Sequence, residues 1–170
     1  FHCVAGHSLG EYSALVVNKS LNFTDSVELL KIRSKAMQES MPVGTGGMAA
    51  IIGGTEEEIT AIFSDIRSEG KVFIANDNAV GQVVISGEMK AIDYIVANSK
   101  QLGLKKAIKL SVSAPFHCKF MTKASTTMLN EIDKFSFKAF AVPFYSNVTS
   151  SPCVEEEIKQ ILVEQIVKKV

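Results

Sequence analysis

Gly6-His7-Ser8-Leu9-Gly10-Glu11-Tyr12-Ser13-Ala14-Leu15-Val16-Val17 carries the reading that decides the fold. Its first five residues are a G-x-S-x-G elbow, and Glu11 to Val17 is a helix-forming run. Upstream, Phe1-His2-Cys3-Val4-Ala5 reads as the end of a buried strand. A strand, a glycine-flanked serine and a helix together put the serine on a sharp turn, with its Oγ exposed and the next N–H aimed at a reacting carbonyl. Both glycines are expected to be required, since a Cβ at either position would crowd the turn. An acyl-transferring serine enzyme is the first hypothesis, and a chance glycine-serine turn is the alternative. An elbow of this kind closes a central strand whose neighbours come earlier, so the chain is expected to begin within a fold.

Composition narrows the classes. With 170 residues, 46% of them hydrophobic, the chain can bury a core as one domain with a small second unit. Eighteen basic residues balance 18 acidic ones, which points away from nucleic acid or a membrane surface as the main partner. No apolar run is long enough to span a membrane. The odd number and wide spacing of Cys3, Cys118 and Cys153 favour buried thiols in a reducing, cytoplasmic compartment over a disulfide framework. His2, His7, His117, Cys3 and Cys118 lack zinc-site spacing, so no metal and no cofactor is expected.

Beyond the elbow helix, Thr24 is expected to cap a helix over about residues 25–40, ended by Pro42 and Gly44-Thr45-Gly46-Gly47. Residues 48–52, 72–75, 82–86 and 105–112 are expected strands, with helices over 56–69 and 90–102. That βαββαβ order is the ferredoxin-like pattern. It makes residues 44–112 a self-contained unit inserted into a larger α/β framework formed by 1–43 and 113–170. A helix is expected over about 118–134, a strand over 142–148 and a helix from Val154 onward. The glycine-rich run precedes a strand and is followed by no Gly-Lys-Ser/Thr, so a hinge fits it better than a phosphate loop.

Three polar residues sit where the pattern calls for apolar ones. Projected at about 100° per residue, Leu29, Leu30, Ala36 and Met37 form one face of the second helix, and Arg33 lies at its centre. An unpaired buried guanidinium is costly, so Arg33 should meet an anion or reach solvent along a cleft; a buried stem with a snorkelling head is the alternative. His117 follows the breaker Pro115 and opens a helical stripe with Met121, Ala124 and Met128. It is placed either as a general base or as a half-buried core histidine, and the elbow serine favours the base. Gln165 shares a stripe with Ile158, Ile161 and Leu162, where a glutamine is usually a satisfied core amide.

Taken in order, Gly6 to Leu15, Arg33 within Ile32-Arg33-Ser34-Lys35-Ala36-Met37-Gln38-Glu39, Gly81 to Gly87, Ser113-Ala114-Pro115-Phe116-His117 and Tyr145-Ser146-Asn147-Val148 resemble the malonyl-CoA:acyl carrier protein transacylases. The resemblance implies an α/β-hydrolase-like large subdomain with a ferredoxin-like insert. It implies that Ser8 carries the malonyl group, Arg33 pairs with its carboxylate, His117 is the base and Gln165 orients His117 through its backbone carbonyl. It further implies an oxyanion contact from Leu9 beside the serine, with His7 on the serine's other flank among the substrate-binding residues. Phe116 would narrow the pocket against branched malonyl groups, and Asn78 and Gln82 would line the cleft. Malonyl-CoA and phosphopantetheinylated acyl carrier protein are the implied substrates, with a monomer expected. That family has a Gly-Gln-Gly loop before the elbow and more chain after the last helix, so the sequence is expected to be an internal fragment. Its 170 residues alone are then expected to be poorly soluble and inactive.

Two other functions compete. A serine esterase or thioesterase shares G-x-S-x-G but uses the order serine, acid, histidine and has no need of Arg33. A non-catalytic docking fragment for a carrier protein is the other.

Overall fold

The computed structural model describes residues 2–170. Two sheets organise it. In the first, β1 (Val4–Ala5) lies parallel to β6 (Phe144–Tyr145), and β6 is antiparallel to β7 (Pro152–Cys153). The second sheet is antiparallel, in the order β3-β4-β2-β5, from β2 (Gly46–Ile52), β3 (Val72–Ala79), β4 (Gln82–Glu88) and β5 (Lys106–Lys109). The helices α3 (Glu56–Asp65) and α4 (Met89–Ala97) complete the β2-α3-β3-β4-α4-β5 order of this unit. Its core includes Ile51, Ile59, Ile85, Ile92 and Ile95.

Beside the first sheet stand α1 (Gly10–Val17), which packs on β1, α2 (Phe23–Gln38), α5 (Thr122–Ile132) and α6 (Ile158–Gln165). They share a separate core containing Tyr12, Leu15, Leu29, Met121, Met128, Phe144 and Leu162. Burying one such side chain contributes roughly 1.5–3 kcal/mol, so each unit has its own driving force. The two units touch through Phe73 against Phe120, edge to face at 5.5 Å, and through Ser86 Oγ donating to the Phe116 carbonyl at 2.6 Å. Val170 adds a backbone pair to β3, accepting from Asp77 at 2.8 Å and donating to Ala75 at 3.0 Å. Among the described residues, no helix is long and apolar enough to cross a membrane.

Several boundaries differ from the sequence expectation. The cap of α2 is Asn22, not Thr24: the Asn22 side chain accepts from the Asp25 N–H at 2.8 Å, and α2 therefore starts at Phe23. A side-chain cap contributes about 1 kcal/mol, and either residue type could supply it; extended backbone at Asn22 decides the matter. The strands of the first sheet are shorter than expected, with only Phe144–Tyr145 paired within 142–148. The expected helix over 118–134 begins as a 3₁₀ turn at Lys119–Met121, and the last helix begins as one at Glu155–Glu157. Gly46 and Gly47 lie inside β2, so only Gly44-Thr45 remain as a connecting stretch before the strand.

The two elbow glycines are not equivalent. A Cβ on Gly6 would sit 2.0 Å from both the carbonyl carbon and the oxygen of Gly10, whereas one on Gly10 would meet open space. The crowding expected at both positions exists only at Gly6, because the first turn of α1 folds back over it. Backbone atoms cannot yield as a side chain can. Gly6→Ala should therefore lower stability by about 1–3 kcal/mol or more, read as a drop in denaturation midpoint, while Gly10→Ala should change it little. Equal midpoints for both variants would contradict this account of the elbow.

Candidate active site

Ser8 lies between β1 and α1 with φ at +53°, a left-handed conformation that costs a non-glycine residue on the order of 1 kcal/mol or more. Three hydrogen bonds hold the turn. Asn147 Oδ1 accepts from the Ser8 N–H at 2.6 Å, and Asn147 Nδ2 donates to the Gly6 carbonyl at 2.7 Å. Gln165 Nε2 donates to the Ser8 carbonyl at 3.0 Å. The elbow is thus clamped from both sides by residues more than a hundred positions away in sequence.

His117 also has a positive φ, +55°, and is buried. Its Nε2 is 2.7 Å from Ser8 Oγ, and its Nδ1 is 2.9 Å from the Gln165 backbone oxygen. A carbonyl can only accept, so Nδ1 carries the proton and Nε2 presents its lone pair to the serine hydroxyl. Burial pushes the imidazole from 6.5 down to about 4, against the Gln165 carbonyl and with the help of the Arg33 charge. The ring is neutral at pH 7, as a base must be.

Arg33 projects from the buried face of α2, whose other members include Ser26, Leu29, Ala36 and Met37. One terminal nitrogen donates to Ser8 Oγ at 3.0 Å and to Gln165 Oε1 at 2.9 Å. The guanidinium lies 5.8 Å from the Tyr12 ring centroid, and its buried Nε has no partner among the described residues. An unpartnered donor on a buried cation is a place for an anion. Ser8, Arg33, Met37, Gln38, Phe116 and His117 line one cavity of about 300 Å³. A larger hollow of about 520 Å³ lies on the outer face of α2 against Phe23, Val27 and Lys35. It holds neither the serine nor the histidine, so the chemistry belongs to the smaller cavity.

The remaining expected residues divide. Leu9 is about half exposed, and its N–H, next after the nucleophile, makes no hydrogen bond among the described residues. His7 Nε2 pairs with Asn78 Oδ1 at 3.0 Å, joining the elbow to the far end of β3. Asn78 therefore meets the elbow instead of lining the cavity. Gln82 does not line it either: it is exposed at the start of β4, opposite Ile52 and Ala79 beside the hairpin tip. Asn78 falls at a register shift between Asp77 and Ala79 in the β3–β4 pairing, whereas Gln82 pairs regularly with Ala79.

Two residues of the site were not singled out from sequence. Glu11 is fully buried; its Oε1 accepts from the Asn147 N–H at 2.6 Å, and its Oε2 accepts from Gln165 Nε2. Asn147 is the elbow clamp. Glu11, like Arg33, carries a periodic signal: a carboxylate one turn before buried Ala14 and Leu15 sits on an apolar face.

The acyl transferase domain family matches residues 2–170. Malonyl CoA-acyl carrier protein transacylase of Bacillus subtilis is 41% identical over 164 residues, which are 95% of this chain and 52% of that protein. The protein of the same name from Escherichia coli K12 is 41% identical over 164 residues, 96% of this chain and 53% of its own. The crystal structure of acyl-carrier-protein S-malonyltransferase from Bartonella henselae superposes with a TM-score of 0.93 at 44% identity, covering 99% of this chain and 54% of that one. A malonyl-transacylase solved in complex with its type II PKS acyl-carrier protein gives 0.94 at 36% identity, covering 99% of this chain and 55% of that one. The chain spans about half the length of the curated relatives it matches.

The depressed basicity of His117 has a direct readout. Its imidazole should titrate near pH 4 in an NMR titration of the folded protein. The stability this neutral ring contributes is complete above about pH 6.5 and is lost as pH falls toward about 4, because the unfolded histidine protonates first. Titration near the free-histidine value would contradict the buried placement.

Proposed function

The chain belongs to the acyl transferase domain family, and from that premise we propose that the protein carrying it moves a malonyl group from malonyl-CoA to the phosphopantetheine thiol of an acyl carrier protein, through an ester on Ser8. The malonyl transacylases that the chain resembles supply the substrate class. One observation carries the reading to these residues: the Ser8 hydroxyl and the Arg33 guanidinium are hydrogen-bonded within one small cavity. A three-carbon acyl group with a terminal carboxylate is short enough to be esterified at one and ion-paired at the other.

The steps follow from the geometry. His117 Nε2 accepts the Ser8 proton as Oγ attacks the thioester carbonyl. The Leu9 N–H is free to donate to the oxyanion that forms. Collapse expels the coenzyme A thiolate, which takes the proton from His117. In the second half, His117 takes the proton of the carrier thiol, the thiolate attacks the Ser8 ester, and Ser8 Oγ leaves with the proton returned. An imidazolium held close to Arg33 gives its proton up readily, consistent with a ring pushed down to about 4. Among the described residues no carboxylate bonds His117; the Gln165 carbonyl supports it instead, and orients the ring without adding a negative charge beside the substrate's own.

The fold assignment follows the same reading. Within the expected 1–43 and 113–170, the described residues form part of an α/β-hydrolase-like subdomain, and 44–112 form a ferredoxin-like insert. The β3-β4-β2-β5 strand order supports the insert.

Arg33→Ala tests the proposal. Transfer of malonyl should fall about 10- to 100-fold further than transfer of acetyl, the worth of a desolvated charge-assisted contact. Steady-state rates with both coenzyme A thioesters, in the protein carrying this chain, measure the ratio. Equal losses would mean that Arg33 does not read the carboxylate, and absence of malonyl transfer in the unsubstituted protein would overturn the function.

A further inference from the structure

Glu11 is the one buried carboxylate among the described residues that the transfer steps above do not use. Its surroundings are specific. The Gln165 amide lies between it and Arg33, with Oε1 toward the guanidinium and Nε2 toward both the Glu11 carboxylate and the Ser8 carbonyl. Rotating that amide by half a turn would set donor against donor at Arg33 and acceptor against acceptor at Glu11 and Ser8. Only one orientation satisfies all three. The second Glu11 oxygen takes the N–H of Asn147, whose side chain clamps the elbow at Gly6 and Ser8. Resting on the reading under Proposed function, we propose that Glu11 is a positioning residue: as an anion it locks the Gln165 amide and the Asn147 clamp, and its protonation unlocks them and slows transfer.

Both Glu11 oxygens face N–H donors. A proton on either oxygen points at a donor and breaks one of the two bonds. The released residue is then Gln165, whose backbone holds His117, or Asn147, which holds Ser8. The charged and titratable groups around Glu11 are Arg33 from α2, Tyr12 from its own helix and Cys153 from β7; α6 and the loop after β6 offer it only the uncharged Gln165 and Asn147. Arg33 opposes protonation, as do the two hydrogen bonds, but burial dominates and raises the carboxyl from 4.5 to about 7. His117 is pushed the other way, to about 4. An acid limb near neutrality therefore belongs to the carboxylate and not to the histidine.

The test is the pH dependence of kcat/KM from about pH 5 to about pH 9, in the protein carrying this chain. It is run with malonyl-CoA and, in parallel, with p-nitrophenyl acetate as a simple acylating probe of Ser8. Expected is a loss of activity as pH falls through about 7, at a midpoint that heating leaves nearly unmoved, as for a carboxyl group; an imidazole midpoint falls on heating. Glu11→Gln, which keeps the shape but sets an N–H against a donor, should be about tenfold or more slower at high pH and should lose the limb. A wild-type profile level down to about pH 5, a limb that shifts with temperature like an imidazole, or a limb retained in Glu11→Gln would each overturn the inference. The wild-type temperature series decides the matter even if the variant does not fold. Activity with the ester probe but none with malonyl-CoA would sink the proposed function alone, while the limb on the probe would still judge Glu11.

Discussion

The site depends on one residue that need never touch substrate. Gln165 uses its side chain to join Arg33, Glu11 and the Ser8 carbonyl, and its backbone oxygen to fix the tautomer of His117. It stands at the C-terminal end of α6, where the last carbonyls of a helix have no partner within the helix. That leaves its oxygen available to the histidine, and the negative end of the helix dipole lies there too. Packing of α6 against α5, with Ile158, Ile161 and Leu162 buried, thereby sets the orientation of the base.

Two opposite charges are buried near one another without direct contact, and the amide between them relays their attraction. Taking each into the interior costs several kcal/mol, and the compensation comes from hydrogen bonds to Ser8, Gln165 and Asn147. Among the described residues the arrangement leaves Arg33 with an unpartnered Nε, a cost that a bound carboxylate would relieve. Strain is concentrated at the same place: Ser8 and His117, the two residues between which the proposed proton moves, both hold positive φ. Clamps from Asn147, Gln165 and the Ser86 contact to Phe116 keep that backbone in position.

The extent to which the sequence disclosed this follows from the range of each interaction. Ser8 was legible because its turn is local, with Gly6 required by atoms only four residues on. Arg33 was legible because helical periodicity alone puts it on an apolar face. The order of elements over 44–112 was legible from alternating strand and helix patterns bounded by glycines. Asn147 escaped because its role exists only through partners 136 to 141 positions away; Glu11 shares the buried face of α1 with Ala14 and Leu15, as periodicity places it, and only its partners at Asn147 and Gln165 are out of local reach. Asn78 and Gln82 stand on opposite sides of the β3–β4 hairpin tip, and only the folded arrangement shows that Asn78 is the one that reaches the elbow. Asn22 and Thr24 are both good caps, and no pattern within the helix separates them.

The most direct measurement is a crystal structure of the protein carrying this chain after reaction with malonyl-CoA. The account predicts an ester on Ser8 Oγ whose free carboxylate is bound by the Arg33 guanidinium at roughly 2.7–2.9 Å. It further predicts that His117 Nδ1 remains on the Gln165 carbonyl. An acyl group on another residue, or a Ser8 ester whose carboxylate points away from Arg33, would contradict it.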